Sequence, residues 1–524
     1  MSSEAQVEIE NGWLRGRRAG GATSFRGIPY AADTGGANRF RAPQPVANWA
    51  GVRDASAEGE RCPQTEESIV RLPAFAWYGQ GAPFGENCCV LNVFTPGLQP
   101  GARRPVICYL HGGGYASGGG GGPALDGSTL AVAGDVVVVT INHRLNLFGY
   151  TQLAHLEPEL FADAAHAGHL DLVAALQWVH RNIAAFGGDP GNVTLAGQSG
   201  GGNKIMVLLT MPAARGLFRR AINMSGVSGL QVPGPQATEP YVDALLRTLG
   251  IARGQGRRLQ ELPAATLMQA RQAAMRAVRG DGAQPFVDGR HVCASPFTPE
   301  GLALHAEVPL MIGVTDTEAT LFLGADPRNF HVDGAQLEAR VRAQFGLDAQ
   351  GAQALVAAYR QDGPQRSAAD ILAYLSSDLL ARAPLLRAAA AKADAGRAPV
   401  YHYHFDWQVP VEGGVWRSPH TVDIPFAFGT VDRARAMTGD GPGPGRVAAN
   451  LMAAFAAFAR NGDPNNPRMP PWKPYDTATR ATMVVDEACR LVHDFHGHDR
   501  LASAALPCAD PAAVRRGPLF RPMA

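Results

Sequence analysis

The sequence predicts an α/β fold, with a mostly parallel central sheet flanked by helices and helical excursions standing outside it. Two observations carry this expectation. Short β-branched or apolar runs at Arg104 to Leu110, Asp135 to Asn142 and Asn192 to Gly197 alternate with helical patterns, and such alternation builds parallel sheets because each return to a parallel strand needs a crossover. The last two runs lack polar alternation, as strands covered on both faces do. Between them Leu172, Ala175, Leu176, Trp178, Val179 and Ile183 recur at helical spacing, and Gly187-Gly188-Asp189-Pro190 ends that helix before the next strand.

Further elements follow in chain order. From Val7 to Ala31 short apolar runs alternate with Gly-rich turns, which reads as a β meander. Residues ~234 to 290 and ~326 to 398 are rich in Ala, Arg, Leu and Gln with helical periodicity, and are expected to form helical excursions that cap an active site. The run Val308-Pro309-Leu310-Met311-Ile312-Gly313 reads as a strand, and Val400 to Asp406 alternates like one. Ala448 to Asn461 reads as a closing helix ended by Gly462 and Pro464. No internal repeat or clean linker divides the chain, so residues 1–524 are expected to form one domain; single-sheet α/β enzymes reach this length.

The balance of 47 basic against 46 acidic residues gives a net charge of +1, which offers no electrostatic footprint for nucleic acid or an anionic membrane. A small molecule is the expected partner, and the oligomeric state is not readable. Lysine occurs only at 204, 392 and 473, and arginine, alanine, glycine and proline abound, a bias expected of a GC-rich bacterial genome. The polar start Met1-Ser2-Ser3-Glu4 and the lack of a long apolar run lead to a cytoplasmic expectation. Seven cysteines are an odd number without zinc-site spacing.

Chemistry enters at Gly197-Gln198-Ser199-Gly200-Gly201, a G-x-S-x-G motif where the strand NVTLAG should give way to a helix. A serine on so sharp a turn stands exposed above the sheet, and small neighbours let the chain reverse closely. His111-Gly112-Gly113-Gly114-Tyr115 follows another strand and matches a loop that offers backbone N–H groups to an oxyanion. Gly113, Gly114 and Gly200 are the expected donors. These motifs together point to an α/β-hydrolase fold, in which an acid and then a histidine follow the serine. Glu318, at the carboxyl end of an expected strand, and His420, in the polar loop Arg417 to Asp423, suit those roles.

The whole chain resembles the type-B carboxylesterases, the family of bacterial para-nitrobenzyl esterases, liver carboxylesterases and cholinesterases. Phe25-Arg26-Gly27-Ile28-Pro29-Tyr30-Ala31, Arg39-Phe40 with Pro43 to Pro45, Glu86 to Val93 (ENCCVLNV), Phe186 to Gly202 and Pro471-Trp472-Lys473-Pro474-Tyr475-Asp476 carry the resemblance. It implies Ser199 as nucleophile, Glu318 as acid, His420 as base, and Gly113, Gly114 and Gly200 as the oxyanion hole. It also implies that Tyr115 borders the acyl side of the pocket. Gln198 stands where cholinesterases carry glutamate, which speaks against a cationic choline ester.

Gly200 departs from the family's usual alanine, Ala319 from the glycine after the acid, and His166, His169 and Leu172 from its N-x-G-L-x-D-Q pattern. Cys62 and Cys88 match a pair that extracellular relatives join; here reduced thiols are expected. His402 and His404 are expected to be structural, the His493, His496 and His498 group a solvated loop, and Ser225 either a support for the triad or a satisfied hydroxyl. The expected activity is therefore hydrolysis of small-molecule carboxylic esters with neither cofactor nor metal. Amide or carbamate hydrolysis, and a non-catalytic binding role, are the rivals.

Overall fold

The computed structural model describes residues 3–506, apart from 67, 80 and 279–281, and residues 511–521. Cys508 therefore lies outside the described residues. Among the described residues thirteen strands form one mixed sheet: β1 (Ser3–Ile9), β2 (Gly12–Ala19), β3 (Ala22–Pro29), β4 (Val52–Asp54), β5 (Val90–Thr95), β6 (Arg104–Leu110), β7 (Val137–Ile141), β8 (Gly188–Gln198), β9 (Arg220–Met224), β10 (Leu310–Thr315), β11 (Val400–Phe405), β12 (Ala481–Val485) and β13 (Arg490–His493). The order is β1-β2-β3-β5-β7-β6-β8-β9-β10-β11-β12-β13, with β4 beside β2. From β7 to β12 every pairing is parallel; the meander β1–β3 and the strands β5 and β13 join antiparallel.

The apolar runs behave as sheet geometry requires. Val137, Val139 and Ile141 face one core with Leu172, Leu176 and Trp178, while Val138 faces the other with Phe455 and Phe458. Successive side chains of a strand point to opposite faces, so a continuous apolar run is what a strand covered on both sides needs. The helix Ala167–Asn182 covers the first face and Gly443–Asn461 the second. β1, by contrast, alternates buried and exposed residues at the rim of the sheet.

The expected strands and helices are present, with β4, β5, β9, β12 and β13 added. Helices form across both expected excursions, and Glu239–Leu249, Ala264–Val278, Gly334–Phe345 and Ala349–Asp362 stand off the sheet. These four pack into two satellite cores of their own, one around Tyr241 and Leu267, the other around Leu337 and Tyr359. Ala383–Asp394, read as part of the second excursion, instead covers the sheet through Leu385, Ala388 and Ala389.

Candidate active site

Parallel strands carry their carboxyl ends to one edge of the sheet, and that edge collects the predicted site. β6 runs into the His111–Gly114 loop, β8 into Ser199, and β10 into Glu318, while His420 follows β11. Ser199 turns the chain directly from β8 into the helix Gly200–Leu208. Its φ of 54° and ψ of −116° are strained for a residue with a Cβ. Its amide donates to the carbonyl of Met224, at the end of β9, which holds the turn to the sheet.

The flanking glycines have steric causes. A Cβ at Gly201 would lie 1.8 Å from the carbonyl oxygen of Leu110, and one at Gly200 would lie 2.3 Å from the backbone nitrogen of Gly114. The elbow and the glycine loop thus touch backbone to backbone, closer than the family's usual alanine at 200 would permit. Gly113 and Gly114 take φ of 84° and 63°, a left-handed stretch that favours glycine. Among the described residues none accepts a hydrogen bond from the amides of Gly113, Gly114 or Gly200. Buried Lys204, one turn into the elbow helix, donates to the carbonyl of His111 at 3.0 Å and ties the root of the loop to that helix. Burial holds His111 well below the ordinary histidine range, so it is neutral.

The acid and histidine loops are joined by their own backbones. Thr317 donates its amide to the Ser418 carbonyl, and Ser418 donates back to the Thr317 hydroxyl, both at 3.0 Å. Nδ1 of His420 then meets Oε2 of Glu318 at 2.5 Å. The other carboxylate oxygen accepts from the Ser225 hydroxyl at 2.6 Å and from the Thr315 amide at 2.8 Å. With Nδ1–H given to the carboxylate, Nε2 presents its lone pair, toward which the buried Gln198 amide donates at 3.2 Å.

A cavity of about 690 Å³ opens onto this edge, lined by Ser199, His420, Gly113 and Gly114 together with Tyr78, Asn203, Leu321 and Phe322 among others. Two expectations about its walls are corrected. Among the described residues none from 234–290 or 326–398 lines it; those helices are held in satellite cores or, for Ala383–Asp394, against the sheet, and the walls come instead from Leu72 and Tyr78, from Leu321 to Ala325, and from Arg515. Tyr115, expected on the acyl side, does not line it. The amides of Ala116 and Ser117 both bond back to the Gly113 carbonyl, and the turn so formed sends the Tyr115 ring onto Tyr150 and His169, 5.1 and 6.0 Å away between centroids. Gln198 meets His420 and is not a wall residue.

Sequence reasoning missed Asp423. This carboxyl is fully buried three residues after His420, accepts only from the Tyr403 hydroxyl at 3.3 Å, and its Oδ1 has no hydrogen-bond partner among the described residues. Burial, with the negative charge of Glu318 nearby, pushes its pKa up to about 7. An acid whose folded pKa exceeds its unfolded value of about 3.9 binds more protons when native, so its contribution is fully present below pH ~4 and is lost as pH rises through ~7. Asp423→Asn removes that loss. Urea midpoints should match wild type near pH 4 and exceed it at pH 8 by a stability of order a few kcal/mol; equal midpoints at both pH values would contradict the assignment.

The remaining histidines are placed as follows. His404 and His496 both face Oδ1 of buried Asp316, at 2.9 and 3.5 Å, and Arg366 donates into Nδ1 of His496 at 3.0 Å. His496 is therefore packed inside, not in a solvated loop, whereas His498 pairs with Asp362 at the surface. His402 meets the Thr482 hydroxyl at 3.1 Å. Cys62 and Cys88 are buried free thiols.

A mixed sheet with a strained serine at the elbow of one strand, a glycine loop beside it and a carboxylate–histidine pair over the same cavity defines an α/β-hydrolase. The profile of the carboxylesterase family matches residues 3–500, and the chain belongs to that family. It is 34% identical over 504 residues to the para-nitrobenzyl esterase of Bacillus subtilis, across 93% of this chain and 96% of that one. It is also 34% identical to the phenmedipham hydrolase of Pseudarthrobacter oxydans, across 94% and 98%. The crystal structure of a Geobacillus stearothermophilus carboxylesterase superposes with a TM-score of 0.80 at 34% identity, covering 95% and 99% of the two chains. The protein is a carboxylesterase. Among the described residues no helix is long and apolar enough to cross a membrane.

Proposed function

We propose that residues 1–524 act as one catalytic domain that hydrolyses small-molecule carboxylic esters through an acyl-enzyme on Ser199, with His420 as general base and Glu318 as its orienting acid. The observation that carries this is the Glu318–His420 bond over the cavity that Ser199 and the glycine loop also line. Nε2 of His420 exchanges its contact with Gln198 for the Ser199 hydroxyl, takes its proton as Oγ attacks the ester carbonyl, and returns it to the leaving alcohol. The amides of Gly113, Gly114 and Gly200, free of acceptors among the described residues, hold the oxyanion as charge develops. Water, activated by the same imidazole, then releases the acid. Gly200 in place of alanine brings the third donor hard against Gly114.

Carbamate hydrolysis is a second reading, favoured by one observation: the phenmedipham hydrolase is as similar as the para-nitrobenzyl esterase. Both readings use the same nucleophile and differ in how fast the acylated serine turns over. Nitrophenyl esters from acetate to laurate, set beside a nitrophenyl N-methylcarbamate, separate them. Steady turnover of the esters with a single stoichiometric burst from the carbamate is expected; sustained carbamate turnover exceeding that of every ester would replace the first reading with the second, and an inert protein would overturn both.

A further inference from the structure

One charge on the cavity wall has no role in the steps above. Among the described residues lining the cavity there is no aspartate or glutamate, and Arg515 is the only one with a permanent charge. It is exposed at its outer side, and no carboxylate among the described residues pairs with it. Its guanidinium lies over the ring of Phe322, 4.0 Å from the centroid, and that ring lies 5.5 Å from the imidazole of His420. The cation therefore stands no farther from the imidazole than those two distances laid end to end. Val514, buried in the satellite core with Ile371 and Leu372, anchors the helix Pro511–Arg516 that presents it. Burial of its inner side without an anion pulls Arg515 below the usual arginine range, a cost that an arriving carboxylate relieves.

The side of the scissile bond that Arg515 serves follows from the roles proposed for the site, on which this inference rests. The carbonyl oxygen points to the glycine amides, whereas the alcohol leaves past the imidazole that protonates it. Arg515, reached from His420 through Phe322, belongs to the alcohol side. A guanidinium offers two parallel N–H groups to a carboxylate, a geometry that selects for planar anions. We infer that Arg515 is a specificity-determining residue that selects esters whose alcohol portion carries a carboxylate a few bonds from the ester oxygen.

The test compares para-acetoxybenzoate with its neutral near-isostere para-acetoxybenzamide, followed by release of the phenol. Arg515→Gln should lower the anion-to-neutral ratio of kcat/KM about tenfold, mainly through KM. Arg515→Lys should recover part of it, and the wild-type preference should shrink as salt is raised. An equal fall for both substrates would make Arg515 a prop for Phe322 and overturn the inference. So would a charge effect seen only with nitrophenyl hydrogen glutarate, which carries its carboxylate on the acyl side. If wild type turns over neither acetate, the esterase reading has failed separately. Calorimetric titration of para-acetoxybenzoate into Ser199→Ala and Ser199→Ala/Arg515→Gln still decides, because weaker binding without the arginine sustains the inference and equal binding removes it.

Discussion

Ser199→Ala lowers kcat toward nitrophenyl esters by about four to six orders of magnitude, with the remainder supplied by the glycine amides and binding. The reason is covalent. Alanine leaves the elbow and the cavity in place but offers no oxygen for acylation, so water must attack directly. Binding of an uncleaved ester should be nearly retained, because the missing oxygen contributes to the bond being made, not to the walls. A fluorophosphonate probe should label the wild type once, at Ser199, and leave the variant unlabelled. Activity within tenfold of wild type, or a label on another residue, would remove Ser199 from the mechanism.

Glu318→Gln should lower kcat by roughly three to four orders of magnitude with little change in KM, by reversing the histidine's tautomer. The carboxylate accepts on both oxygens: from Nδ1–H of His420 on one, and from the Thr315 amide and the Ser225 hydroxyl on the other. Glutamine brings one oxygen and one NH2. A hydroxyl can rotate, but the Thr315 amide cannot become an acceptor, so the glutamine oxygen stays with Thr315 and the NH2 faces Nδ1. Nδ1 must then give up its hydrogen, Nε2 carries it, and the lone pair no longer points at the serine. Pre-steady-state acylation with nitrophenyl acetate measures this step directly. A fall of less than tenfold would mean that the tautomer is fixed by something other than Glu318.

Legibility in the sequence followed the distance over which each feature is built. The serine elbow and the glycine loop are local: five residues determine a turn, and glycine is required where Gly201 meets Leu110 and where Gly113 and Gly114 turn left-handed. The parallel core was equally visible, because strands covered on both faces are written as uninterrupted apolar runs. Glu318 and His420 could be singled out with assurance only by resemblance, since the Thr317–Ser418 pairing that joins their loops leaves no local pattern. Tyr115 was misplaced because position in a motif does not give the direction of a side chain after a tight turn. Asp423 and Arg515 were missed for a related reason. Neither an aspartate in a polar loop nor an arginine in an arginine-rich chain stands out until remote segments close around it.

The pairing of the Thr317 and Ser418 loops also bears on how such a chain can diverge. It pins together the two ends of everything between the acid and the base, including the helices Gly334–Phe345 and Ala349–Asp362. Entropy of closure grows only slowly with loop length. The enclosed segment also holds β11, which the sheet fixes on both edges. The freedom to lengthen or shorten therefore belongs to the helices that precede it, Gly334–Phe345 and Ala349–Asp362, and these are where new surface can be added while the proton-transfer pair stays in register.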